Sequence, residues 1–173
     1  MREEAAGKAQ TLGLSAPCRL EEQHDVRQFD CGEASINQYL WDKALDAQRA
    51  RHAVVYVTCF KGTRNVAGFY TLSNGSVARA HAATARIRRN APNDLPVVVL
   101  GRLGVTRQVA GNGVATDLLQ DALERTLVAA EMVGCVALIV HPLTERLEAF
   151  YAKTAGFIAC PGLSPKTMML SLK

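Results

Sequence analysis

The sequence predicts an α+β (α/β layered) protein built on one central mixed sheet of six to seven strands, with helices on its faces, and three observations predict it. Apolar residues recur at helical spacing in three segments and as β-branched or aromatic runs in seven, in the order β, α, β, β, β, α, β, α, β, β. The second and third strand segments are joined by Lys61-Gly62-Thr63-Arg64-Asn65, turn material that makes them an antiparallel hairpin. The later helical segments each leave one strand and enter another, the connection that parallel neighbours need.

Each element follows from its residues. Residues 1–16 have few large apolar groups and no period, and read as a mobile arm ahead of a single domain over 17–173. A short strand is expected at 18–22, after Pro17. Ile36, Tyr39, Leu40, Ala44 and Ala47 recur at three- and four-residue steps and predict one helix over 33–49. The hairpin strands cover 53–60 and 66–77, and Pro96, Val97, Val98, Val99 and Leu100 lie in a buried strand over 96–105. From Gly113 onward Val114, Leu118, Leu119, Ala122, Leu123, Leu127 and Ala130 keep helical spacing, ending near Gly134, where a left-handed cap is expected. A strand over 135–140 follows, Thr144 caps a helix running to about 154, Gly156-Phe157 restarts extended chain, and a last strand covers 167–172.

Composition excludes several classes. The 173 residues are 49% hydrophobic and 21% charged, which suits one globular domain and excludes a mainly disordered chain. The longest apolar runs are about a quarter of the roughly 20 residues that a membrane helix needs, so no membrane span is expected. Glu3 and Glu4 at a start without an apolar core predict no secretory signal and a cytoplasmic protein. The five cysteines, at 18, 31, 59, 135 and 160, form no CxxC pair, so they are expected reduced and partly buried, with no structural metal.

The chemistry-bearing segment is Gln108-Val109-Ala110-Gly111-Asn112-Gly113-Val114-Ala115, between a buried strand and the longest helix. Backbone N–H groups converging on a helix N-terminus suit a pyrophosphate, and glycines at 111 and 113 let the backbone come close. By spacing alone the segment reads equally as an ordinary glycine-rich strand-to-helix turn. It is not a dinucleotide fingerprint, because Thr116 stands where the third glycine would be, and it lacks the Gly-Lys-Ser/Thr of a P-loop.

Gln108-x-x-Gly111-x-Gly113, followed by Ala149-Phe150-Tyr151 and Gly156-Phe157, resembles the GNAT family of acetyl-CoA-dependent N-acetyltransferases. The resemblance runs from Pro17 over nearly the whole chain. It implies a V-shaped splay between strands four and five, a CoA pyrophosphate on residues 108–115, a pantetheine arm along Leu103, Gly104 and Val105, and Phe150 and Tyr151 beside the thioester. Phe29-Asp30-Cys31-Gly32, Ile36-Asn37, Tyr39-Leu40, Arg88-Arg89-Asn90, Arg102-Leu103 and Val105 are similar to the TacT type of GNAT toxin. That narrower likeness implies acetylation of the α-amine of aminoacyl-tRNA, a ribbon-helix-helix antitoxin and a homodimer. His141-Pro142 departs from the pattern; His141 reads as structural or loop-facing, with a place near the acceptor amine as the alternative.

Acyl transfer to an amine needs a neutral nucleophile, donors for the oxyanion and a proton for the thiolate. An α-amine with a pKa near 8, lowered further by the ester, supplies its own neutral fraction. Tyr151 is the expected proton donor, and a backbone N–H around 103–105 the expected oxyanion donor. As an isolated pair, Phe150-Tyr151 reads equally as packed aromatics. Arg79, Arg86, Arg88 and Arg89 place four positive charges in twelve residues without an acid, and with Lys43, Arg49 and Arg51 they are expected to follow tRNA phosphates. Charge alone would leave them a solvated loop. The competing readings are a GNAT enzyme acting on a small amine or a protein N-terminus, and a catalytically silent CoA-binding module.

Overall fold

The structure, a computed structural model, describes residues 13–173. Most of the expected arm therefore lies outside the described residues. Its last part is packed: Leu14 is buried, Ser15 N–H donates to Cys59 O at 2.8 Å, and Cys59 N–H donates to Ser15 Oγ at 3.0 Å. The arm boundary at residue 17 is thus too late, because strand edges accept any backbone that can pair, however polar its side chains.

Seven strands form one sheet in the order β1-β2-β3-β4-β5-β7-β6. They are β1 Cys18–Arg19, β2 Val54–Cys59, β3 Val66–Ala78, β4 Asp94–Val105, β5 Ala137–Val140, β6 Ile158–Ala159 and β7 Met168–Ser171. The helices are α1 Ala34–Asp42, α2 Ala44–Arg49, α3 Ala85–Arg88, α4 Val114–Met132 and α5 Glu145–Ala155. The sheet is mixed: β4 and β5 run parallel, whereas β1–β2, β2–β3, β5–β7 and β6–β7 are antiparallel.

The chain forms two compact units, one of the described residues up to Leu72 with Arg102–Ala122, the other of Ser73–Gly101 with Leu123–Lys173. In the first, helices cover both faces of the sheet. Phe69 packs edge-on against Phe29 and stacks on Tyr39 of α1, with ring centroids 5.4 and 6.4 Å apart. Its neighbours Gly68 and Tyr70 point to the opposite face, where Leu118 of α4 lies over Gly68 and the Tyr70 hydroxyl donates to Asp121. In the second unit Val77, Leu95, Val97, Ala137, Ile139 and Met169 form the core.

Three local expectations need correction. The helix expected over 33–49 is two helices, broken at Lys43, whose φ of −126° leaves the helical range. No proline or glycine marks the break, and Ala44 still reaches the core, so the apolar period runs through it. α4 ends at Met132, and Gly134 is not among the residues of positive φ. Its apolar stripe is buried through Thr126, after which Leu127 and Val128 are exposed.

Gly104 sits where its missing side chain matters. A Cβ there would lie 2.9 Å from Ile36 of α1 and 3.1 Å from the Phe29 ring. Gly104→Ala is expected to destabilise the protein by about 1–3 kcal/mol through overpacking. Urea unfolding would show this as a lower midpoint at unchanged slope, and an unchanged midpoint would mean that α1 yields without cost.

Candidate active site

The glycine loop is built from a single 3-10 turn, Arg107–Val109, and a glycine pair. Buried Val109 anchors it, and Asn112 closes it by donating from Nδ2 to Val109 O and Ala110 O, both at 3.2 Å. Gly111 and Gly113 adopt φ of 78° and 83°, the left-handed region that side chains resist. Of the eight loop residues read from the sequence, Val109 and Ala110 spend their N–H groups inside the loop, on Thr106 O and Arg107 O. The N–H groups of Gly111, Asn112, Gly113, Val114 and Ala115 make no hydrogen bond among the described residues. These consecutive donors at the head of a 19-residue helix fit a diphosphate.

An acid latch, which the sequence reading did not single out as part of the site, holds this loop. Asp30 Oδ1 accepts from Gly32 N–H at 2.9 Å and Asn37 Nδ2 at 2.8 Å, and Arg107 N–H donates to Asp30 O at 2.9 Å. The Asn37 and Gly32 hydrogen bonds hold the Asp30 carboxyl below the usual carboxylate range. Asp30-x-Gly32 ahead of a helix is the sequence sign of such a turn.

β4 changes its hydrogen-bonding side just before the loop. Its register with β5 ends at Leu100↔Val140, while β4 continues to Val105. Pro96 O accepts from Val136 N–H of the β5 side, so even-numbered residues there face β5. Farther on, Arg102 N–H donates to Thr71 Oγ1 and Thr106 N–H to Ala67 O, both on β3. The alternation therefore inverts between Leu100 and Arg102, as at a bulge, and the peptide groups of Leu103 and Val105 face away from β3. Gly104, the middle residue of the expected contact strip, turns its carbonyl toward β3 instead. Arg102 itself lies over the Tyr39 ring, 3.9 Å from its centroid.

Tyr151 lies on α5, which Thr144 caps at its N-terminus, as expected, and which Gly156, at φ 78°, closes at its C-terminus. The ring is buried between Phe150 and Phe157, with centroids 5.2 and 5.5 Å away. Its hydroxyl has no hydrogen-bond partner among the described residues, and burial pushes its pKa up to about 12, above the reference value of 10. The same cause lifts the buried Cys59 thiol to about 11. No group of residues that could hold a metal occurs among the described residues, nor any helix long and apolar enough to cross a membrane.

The expected cationic residues are not equivalent. Arg79 Nη1 donates to Ala91 O at 2.7 Å and Arg88 Nη1 to Ala82 O at 2.9 Å, so both brace the segment that carries them. Arg86 and Arg89 are exposed and make no ion pair among the described residues. Arg49 is paired with Glu22 and Asp46, whereas Lys43 is exposed at the helix break. Lys43 and Arg49 belong to the first unit, the four arginines to the second.

Comparison with known proteins gives a consistent picture. Residues 22–157 match the acetyltransferase (GNAT) family. A tRNA-acetylating toxin of Mycobacterium tuberculosis is 42% identical over 139 residues, which cover 80% of this chain and 82% of the relative. The structure of AtaT complexed with acetyl-methionyl-tRNAfMet superposes with a TM-score of 0.84 at 29% identity, covering 91% of this chain and 94% of that one. A tyrosine-to-phenylalanine mutant of AtaT, bound to the C-terminus of the antitoxin AtaR and acetyl-CoA, superposes with a TM-score of 0.77 at 28% identity, covering 92% and 93%.

Proposed function

Because the chain belongs to the acetyltransferase (GNAT) family, we propose that it is a toxin that moves acetyl from acetyl-CoA to the α-amine of aminoacyl-tRNA and so blocks translation. The row of unbonded N–H groups from Gly111 to Ala115 carries the acetyl-CoA half of this reading. The substrate half rests on the likeness to a tRNA-acetylating toxin and to AtaT with its acetylated tRNA. A cognate ribbon-helix-helix antitoxin neutralises it by covering the basic segment, and the complex of AtaT with the antitoxin AtaR supports such a partner. The enzyme works in the cytoplasm, where charged tRNA is found, and as a homodimer, the state that the resemblance implies.

Acetyl-CoA supplies the thioester-activated acetyl group, and the chain does the rest. Gly111–Ala115 hold the pyrophosphate by their backbone donors, Asn112 keeping the loop closed. Leu103 and Val105 offer their outward peptide groups to the pantetheine arm and to the oxyanion. Gly104 contributes by letting α1 approach. Phe150 walls the thioester side, and Tyr151, protonated at every physiological pH, gives its proton to the departing sulfur.

The test is incubation of the purified chain with labelled acetyl-CoA and a charged total-tRNA pool, followed by mass analysis of the aminoacyl-adenosines released by nuclease. Label on one or a few amino acids is the expected result. Label on none, with acetyl-CoA bound, would move the reading to a small amine or a protein N-terminus. Because Arg86 and Arg89 carry unpaired charge, Arg86→Ala with Arg89→Ala is expected to weaken tRNA binding and lower the slope of log K against log salt by about 1–2. Acetyl-CoA affinity should not change.

A further inference from the structure

We propose that His141 is the proton acceptor for the incoming α-amine, held in the required tautomer by Thr167. This inference rests on the aminoacyl-tRNA reading above and adds the base that the reading lacks. His141 is the first residue after β5, whose last residue Val140 is in register with Leu100, the point beyond which β4 inverts its alternation. The imidazole leans toward β7, where Thr167 stands opposite it beside Met168, the partner of Val140.

The hydrogen bonds define the ring. Thr167 Oγ1 donates to Pro165 O at 3.0 Å, and a hydroxyl has only one proton to give. Its 3.0 Å contact with His141 Nδ1 must then be accepted by the hydroxyl oxygen, which places the imidazole proton on Nδ1. Nε2 is left with its lone pair on an exposed residue, the form in which histidine accepts a proton. Thr167 itself is buried, 2% exposed, so the relay that fixes the ring is sheltered from water.

The same stretch ties His141 to the helix of the proton donor. Lys166, next to Thr167, pairs with Glu148 of α5, one turn before Tyr151. Met168, the next residue, is in register with Val140. Three consecutive residues thus bind β5, the imidazole and α5 together within one unit. The proton balance closes. The acceptor ammonium loses one proton to His141 Nε2, its lone pair forms the C–N bond as the C–S bond breaks, and the thiolate takes the Tyr151 proton. The second proton of the acceptor nitrogen restores Tyr151, and His141 releases its proton to water.

The experiment compares wild type, His141→Ala and Thr167→Val on charged total tRNA, with acetyl-CoA binding and thermal melting measured alongside. His141→Ala is expected to lose about 100-fold in kcat with KM, acetyl-CoA affinity and melting little changed, and added imidazole to restore about 10-fold. Thr167→Val keeps the volume and the ring but removes the acceptor, so kcat falls less. In 15N spectra of the ligand-free protein, the His141 proton is expected on Nδ1 in the wild type and distributed over both nitrogens in Thr167→Val. An unchanged kcat in His141→Ala, a loss that imidazole leaves untouched, or a wild-type proton on Nε2 would each overturn the proposal. A wild type that labels no aminoacyl-tRNA would remove the substrate reading and this inference together, whereas an active wild type with an equally active His141→Ala removes only the histidine.

Discussion

Tyr151→Phe is expected to lower kcat for acetyl transfer by about 100- to 10,000-fold while leaving acetyl-CoA affinity and melting essentially unchanged. The separation follows from the surroundings of the ring. The contacts with Phe150 and Phe157 are made by carbon atoms that phenylalanine retains. The hydroxyl has no partner among the described residues to lose, so its removal leaves no orphaned polar group. pH gives a second reading of the same residue. With a pKa raised to about 12, the donor stays loaded throughout the range in which an ordinary tyrosine would begin to ionise. With a hydrolysis-resistant aminoacyl-tRNA analogue, the rate should therefore rise as the acceptor amine deprotonates and show no tyrosine-dependent fall near pH 10. A fall there, or full activity in the phenylalanine variant, would remove Tyr151 from the mechanism. Stability follows the opposite sign. The unfolded tyrosine ionises near 10 and the folded one near 12, so up to about 3 kcal/mol is lost as pH rises across that window.

The double variant Gly111→Ala with Gly113→Ala is expected to weaken acetyl-CoA binding by roughly 30-fold or more, measured by calorimetry, with little change in melting. An L side chain held at such positive φ costs about 1–2 kcal/mol at each position. A Cβ on Gly111 would meet nothing within 4 Å, so the loop is able to relax and the fold is spared. The relaxed loop no longer converges its N–H groups, and the ligand must restore the strained form on binding. A large drop in melting with unchanged affinity would instead make these glycines purely structural.

Much of this was legible in the sequence because the physics was local. Thr144 marks the start of α5 by capping chemistry that depends on a few neighbours, and it acts as the cap. Gly111 and Gly113 announce a left-handed backbone for the same reason. What stayed hidden depends on partners far along the chain. The inversion in β4 leaves no trace in Val97, Val98, Val99 and Leu100, which are apolar on either side and give no parity to read. Arg79 and Arg88 look like Arg86 and Arg89 until the carbonyls of Ala91 and Ala82 are placed beside them. The Thr167 hydroxyl has no sequence pattern linking it to a histidine 26 positions earlier. Tyr151 was singled out through its neighbours Phe150, Gly156 and Phe157, but its altered acidity comes from burial, which no spacing reveals.

The interleaving of the two units in the chain bears on how such a protein is made. The first unit is not closed by its own N-terminal stretch but needs Arg102–Ala122, the segment that contains the glycine loop. The second needs Leu123–Lys173, the segment that carries Tyr151. Segments of the two units therefore alternate along the chain, and neither unit can gather all of its segments until part of the other has been made. Folding of the two is thus coupled through the order of the chain itself.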